Sequence, residues 1–319
     1  MVKAKITEFW SLCRFYLCWL FRVKGYGISV IVPLNVSGQD DQRARNWRWL
    51  ERYWRANLRA AEIVIGRHPE AAKVAFSKSI AVNNGASKAH GNVFVIVDAD
   101  IYISVESVLR CAKEIRLAEE KSRRLWLMPY REAFRLTKEA SERILNSDPR
   151  TPLDIRPLES EITNIPKSGN KTPPSRIAHW YGAMAQIVSR QAFYTVGGWD
   201  PRMTGWGGED HAAMAAMDTL YAPHKTLSSK VIHIWHPVLV PGSVEPDPKA
   251  KKRLWANQDA GASNNALSIR YYAAYGKPHL MRSLVDEFLK PKTSAAVNSV
   301  DRAHPCEPHS QRDRMESWP

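Results

Sequence analysis

Apolar and polar positions along the first 130 residues switch between two periods, one suited to buried strands and one to amphipathic helices. Ile28 to Leu34 (ISVIVPL) is an unbroken apolar, β-branched run that includes Pro33, the pattern of a strand covered on both faces in a parallel sheet. From Arg45 to Ala61, the residues Trp47, Leu50, Trp54, Leu58 and Ala61 recur at spacings of three and four. That predicts an amphipathic helix with arginines on its outer face. Glu62 to Gly66 (EIVIG) predicts a second strand, and Asn92 to Val97 (NVFVIV) a third; between them, Lys78 to His90 reads as a helix or a loop around Asn83, Asn84 and Gly85. Val105 to Ala118 predicts a further helix and Leu125 to Met128 a short strand. Strands alternating with helices imply an α/β layered domain.

Residues 137–176 break this pattern with Pro149, Pro152, Pro157, Pro166, Pro173 and Pro174, and predict a long irregular loop of the kind that serves as a lid or a binding segment. Order is expected to resume from Ala178, and the composition from Lys292 onward is that of a disordered tail. The stretch from Phe9 to Phe21 is aromatic and apolar but holds Arg14 and falls short of the ~20 apolar residues that cross a bilayer. It lacks the small-residue cleavage site of a secretory signal. Two readings remain for it, a packed terminal helix or a helix lying in a membrane interface.

The length of 319 residues and the 44% hydrophobic content are enough for a large core. A net charge of +14 suits nucleic acid, an anionic nucleotide or an anionic membrane surface, and so decides nothing alone. Four cysteines, Cys13, Cys18, Cys111 and Cys306, have neither CxxC spacing nor the density of a disulfide framework, which makes a reducing cytoplasm the default expectation.

Three short segments carry the chemistry. The third strand ends in Val97-Asp98-Ala99-Asp100, two carboxylates beyond the carboxyl end of a buried strand, where open α/β sheets bind ligands. They suit a hard divalent cation that bridges a diphosphate, although a polar turn after a strand has the same appearance. Gly205-Trp206-Gly207-Gly208-Glu209-Asp210 places two acids directly after a glycine-rich bend, with Trp206 as a face on which a sugar ring can stack. The bland reading makes Trp206 core and Asp210 the cap of a helix that starts near His211. His233-Ile234-Trp235-His236 closes a short apolar strand with two imidazoles, which either ligate a metal or are core histidines.

The order FSKSIAVNNGASKA (Phe76 to Ala89), VDADI, WYGAMAQIVSRQAF (Trp180 to Phe193), GGWDPRMTGWGGED and HIWH resembles inverting GT-A glycosyltransferases over about residues 27 to 240. It resembles especially the branch that contains the β-1,4-galactosyltransferases, the polypeptide N-acetylgalactosaminyltransferases and the chondroitin polymerase domains. The resemblance implies that Asp100 is the chief carboxylate ligand of a manganese ion, with magnesium as the substitute, and that Asp98 contacts the donor ribose or the metal's waters. His233 and His236 compete for the histidine ligand position, and the resemblance admits either or both. It further implies Asp210 as catalytic base, Glu209 as its acceptor-positioning neighbour, Trp206, Gly207 and Gly208 as the acceptor platform, Tyr181 as a donor-sugar contact and Lys78 as a cation near the diphosphate. Pro33 to Asn35 would border the nucleotide base. Asn35 and Arg67-His68 depart from the family, which commonly has an Arg after the strand-one Pro and an acid at the end of strand two, so the base contacts are left open.

The expectation is therefore a GT-A α/β fold, a mostly parallel sheet flanked by helices, with an N-terminal helix at 1–26, a catalytic domain at 27–240, a helical extension at 241–290 and a tail at 291–319. Its partners would be a UDP-sugar and a glycan, protein or lipid acceptor, with peripheral contact to anionic membrane and no specific nucleic-acid binding. The competing classes are an inactive GT-A-like protein that binds an anionic surface or nucleic acid, and a nucleotidyltransferase. A strand-end carboxylate facing a cleft adds little to a core, so Asp100→Ala is expected to spare the fold.

Overall fold

The most apolar runs of the sequence become the central strands. A computed structural model describes residues 27–34, 42–71, 76–154, 156, 162–164, 184–205, 207–237 and 264–290. The chain starts with β1 (Ile28–Pro33), α1 (Gln42–Asn57), β2 (Glu62–Gly66), α2 (Lys78–Lys88) and β3 (Val93–Val97). β1 lies between β2 and β3 and runs parallel to both, with Val30 opposite Ile63 and Val95. Every residue of β3 is buried, as its continuous apolar run requires. On α1, Trp47, Leu50 and Trp54 are buried while Arg48, Arg52 and Arg55 are exposed. Arg43 falls one turn before Trp47; it is exposed like the other three arginines, but its guanidinium reaches toward Asp100.

There follow β4 (Ile101–Tyr102), α3 (Val105–Glu119), β5 (Leu127–Met128), β6 (Glu132–Leu136), α4 (Lys138–Leu145), β7 (Ile162–Asn164) and β8 (Ala185–Ser189). The segment from residue 137 is not irregular throughout. Thr137 caps α4 by accepting from the Ala140 N–H, and Ala140, Ser141 and Ile144 bury one face of the helix. Those apolar positions are too few to stand out beside the prolines, which begin only after the helix has ended. The chain closes with α5 (Arg190–Thr195), α6 (Glu209–Leu220), β9 (Lys225–Thr226), β10 (Lys230–His233), α7 (Asn264–Ala274) and α8 (Pro278–Leu289).

The main sheet has the order β2-β1-β3-β8-β5-β9. β8 is antiparallel to β3 and β5, while β5 runs parallel to β9, so a mostly parallel sheet carries one reversed strand. A second sheet, β4-β10-β6-β7, stands beyond the end of β3. α2 lies flush on β1 and β2, since a Cβ at Gly66 would run into the Ala81 carbonyl and one at Gly85 into the Ile31 side chain. That close packing fixes the N-terminal end of α2, and with it Lys78. The N-terminal segment 1–26 and the tail from 291 lie outside the described residues. Among the described residues, no helix is long and apolar enough to cross a membrane.

Candidate active site

The two sheets meet at the carboxyl end of β3, where the acids of VDAD leave the strand. The Asp98 N–H donates to the Met184 carbonyl at 3.0 Å, and the Ile101 N–H donates back to the Asp98 carbonyl at 3.1 Å, closing a tight turn. β4 follows at once and pairs antiparallel with β10, placing His233 opposite Ile101 and beside Asp100. The chain beyond β10 is pinned from three sides. The Ile234 N–H donates to the Asp100 carbonyl at 2.9 Å, the Trp235 N–H to Ser141 Oγ at 2.7 Å, and buried Asn46 Nδ2 to the Trp235 carbonyl at 3.1 Å. The strand itself ends at His233, so His236 reaches the site from the pinned segment.

Asp100, His233 and His236 thereby form a cluster whose ligand atoms lie within 4.8 Å of one another. His236 Nε2 is 3.2 Å from Asp100 Oδ2, and His233 Nε2 is 3.8 Å from Asp100 Oδ1. Metal bonds of ~2.0–2.2 Å put neighbouring donors about 3 Å and opposed donors about 4.3 Å apart, so two imidazoles and a carboxylate at these separations fit one divalent ion. The geometry leaves neither histidine out. Arg43, which the sequence alone did not single out, joins the cluster with Nε 3.7 Å from Asp100 Oδ2 and Nη2 3.4 Å from His236 Nε2. Its spacing from Trp47 and Leu50 was the available signal.

Burial alone would raise the Asp100 carboxyl, but His233, His236, Arg43 and Lys78 outweigh it and hold the group down at about 2. Asp100 is only 6% exposed. Its removal is therefore expected to cost the fold more than a strand-end position suggests, because truncation leaves His233, His236 and Arg43 without the carboxylate they share.

Lys78 stands at the centre of a second cluster. Its Nζ donates to Asp210 Oδ1 at 2.8 Å, lies 2.6 Å from Asp98 Oδ1, and sits over the Trp199 ring at 5.5 Å. Three local devices bring these groups together. Ser77 caps α2 by accepting from the Ile80 N–H, and its hydroxyl donates to the Met203 carbonyl at 2.6 Å. The Gly205 N–H donates to the Phe76 carbonyl at 2.9 Å. Asn83 clasps the backbone of Trp199 from both sides, with Nδ2 to its carbonyl and Oδ1 from its N–H. Burial alone would lower the Lys78 ammonium, but Asp210, Asp98 and Glu209 raise it well above the ordinary lysine value, so it stays charged.

α6 begins at Glu209 with Gly208 as its N-cap at φ +87°. Asp210 is therefore not the cap, and its carboxylate goes to Lys78 instead. No described residue bonds its second oxygen. Glu209 is 8% exposed, and burial followed by the charge of Asp210 pushes its carboxyl up to about 7. The folded chain thus keeps a proton between pH 4.5 and 7 that the unfolded chain has lost, so stability falls as pH rises through that window. Glu209→Gln should flatten that fall and raise the thermal midpoint at pH 8; an unchanged slope in thermal unfolding between pH 5 and 8 would contradict the buried acid.

Pro33 closes β1 and is buried, whereas Asn35, Tyr181 and Trp206 lie outside the described residues. Gly207 and Gly208 both have positive φ, +103° and +87°.

A family model described as glycosyltransferase-like family 2 matches residues 56–235, over half of the chain. No curated protein sequence matches it. Among solved structures, a mutant of the Drosophila β1,4-galactosyltransferase 7 complexed with manganese, UDP-Gal and xylobiose is similar at 12% identity, covering 66% of this chain and 71% of that one, with a TM-score of 0.36. S. aureus TarS with UDP-GlcNAc is similar at 13% identity, 82% and 71% coverage and a TM-score of 0.40. Glucosyl-3-phosphoglycerate synthase from Mycobacterium tuberculosis, with Mn2+, UDP and glucosyl-3-phosphoglycerate, is similar at 15% identity, 67% and 74% coverage and a TM-score of 0.35. The family match covers α2, the VDAD turn, the glycine-rich acid segment and His233, and the chain accordingly belongs to the glycosyltransferase-like family 2 and is a glycosyltransferase.

Proposed function

We propose that the chain is a metal-dependent, inverting glycosyltransferase that moves a sugar from a nucleoside diphosphate, UDP by its resemblance, to an acceptor hydroxyl. The observation that carries this reading is the adjacency of two clusters, Asp100-His233-His236 and Asp98-Lys78-Asp210, within two residues of each other at the end of β3. When bound, a divalent ion there neutralises charge on the departing diphosphate as a Lewis acid. Imidazole donors favour Mn2+ over Mg2+, which prefers oxygen ligands. Lys78 stands ready as a fixed positive charge beside that leaving group, and Asp98 orients it. Asp210 Oδ2 accepts the proton of the acceptor hydroxyl as that oxygen attacks the anomeric carbon. Glu209, Gly207, Gly208 and Trp206 form the acceptor side, with Tyr181, Pro33 and Asn35 on the donor side.

The competing reading as a nucleotidyltransferase lies outside the family, and an inactive binding protein would not need both clusters. The acceptor is a glycan, protein or lipid hydroxyl, and the N-terminal segment is the natural candidate for contact with an anionic membrane. A panel of nucleotide sugars incubated with Mn2+ and simple acceptors tests the proposal. We expect release of a nucleoside diphosphate from one UDP-sugar, and its suppression by excess chelator. Full turnover in chelator would remove the metal from the account.

A further inference from the structure

We infer that α7 belongs to the catalytic unit and that its first residue, Asn264, is a positioning residue that sets the turn carrying Glu209 and Asp210. This rests on the functional reading above. Gly205, Gly207 and Gly208 lend the segment before the acids little stiffness, since each has positive φ and no side chain to lock it. A reacting carboxylate misplaced by about 1 Å can cost roughly 10²-fold in rate, so rigidity must come from outside the turn.

α7 supplies it. Asn264 is 3% exposed, and its Oδ1 accepts from the Thr204 N–H at 3.0 Å, immediately before the turn. Gly208 lies so close to α7 that a Cβ there would collide with Ser268 Oγ and stand 3.3 Å from the Asn264 carbonyl. One residue past the acids, Tyr272 Oη and His211 Nδ1 are hydrogen-bonded at 2.9 Å. The other end of the segment is anchored as firmly. Buried Asp200 accepts from the Tyr271 hydroxyl at 2.9 Å and pairs with Arg202, whose Nη1 donates to Glu287 of α8 at 2.6 Å.

Around this contact, Asn264 Nδ2, Ser268 Oγ and Glu209 Oε2 are buried without a hydrogen-bond partner among the described residues. Apolar side chains would pack the same surface at lower cost. Polar groups retained there mark a surface shaped around the turn and not chosen for cohesion alone.

The test compares Asn264→Leu, which keeps the volume but removes the acceptor oxygen, with Asn264→Asp, which keeps that oxygen. Three readouts are taken on the full chain: transfer kinetics, amide hydrogen exchange over residues 204–210 without substrate, and thermal unfolding. The Leu variant should lose about tenfold to hundredfold in kcat with donor KM unchanged, and its turn amides should exchange faster. The Asp variant should restore both. Wild-type kcat in Asn264→Leu, a kcat loss without faster exchange in the turn, or failure of Asp to rescue each overturns the inference. Should the Leu variant not fold, Ser268→Val presses on Gly208 with the Asn264 bond intact and must show the same paired effect. Should the wild type transfer no sugar, the functional reading falls, and the exchange measurement alone decides the positioning claim.

Discussion

Asp210→Asn should keep donor affinity and lose roughly 10²–10⁴-fold in kcat, the usual range for a general base. The substitution is close to isosteric, and its carbonyl oxygen can still accept from Lys78 Nζ, as Asp210 Oδ1 does at 2.8 Å. What it cannot do is take a proton. Because α6 starts one residue earlier, the change leaves the N-cap at Gly208 untouched. Steady-state kinetics with donor and acceptor varied separately will read the result. Near-normal kcat would move the base to Glu209, the adjacent acid whose carboxyl is already pushed up to about 7. Glu209→Gln should then show the larger kcat loss, whereas the present account expects it to act more on acceptor KM.

Asp100→Asn should lower metal-dependent turnover by about 10²-fold or more, since a Lewis-acid metal contributes several kcal/mol and each 1.36 kcal/mol is tenfold in rate. Asn is the better probe than Ala because Asp100 is buried between two histidines and Arg43, and truncation confounds the loss of a ligand with the loss of the fold. A readout independent of turnover is available. Mn2+ at about 100 times its dissociation constant stabilises a folded protein by about 2.7 kcal/mol, and that rise in thermal midpoint should disappear in Asp100→Asn and shrink in His233→Ala and His236→Ala. An Mn2+-induced shift of wild-type size in Asp100→Asn would remove that carboxylate from the ligand set.

The strands β1 and β3 were legible because burial on both faces writes an unbroken apolar run, and the half-buried edge strand β2 because its short apolar run lies between two helices. The second sheet was not foreseen. β4 is two residues long and β6 half-buried, and such pieces have no periodicity of their own; they exist because β10 pairs with both. The reversed β8 reads from sequence as any other buried strand, since direction is a property of its connections. The acids of VDAD and GWGGED were legible because their chemistry is concentrated in short motifs at predictable places. Asn264, Tyr271 and Arg202 were not, because each matters through a partner that only the fold brings near, the first two from about 60 or more residues away. Arg43 falls between these cases: its spacing from Trp47 placed it in line with the inner stripe, but an arginine among arginines on a helix reads first as solvated surface.

The central claim is a single displacement in which Asp210 activates the acceptor opposite the departing nucleoside diphosphate, and the anomeric configuration of the product tests it most directly. NMR of the wild-type reaction, followed from the first turnovers, reads that configuration from the coupling of the anomeric proton. The product is expected to be inverted relative to the donor; retained configuration would contradict a single displacement.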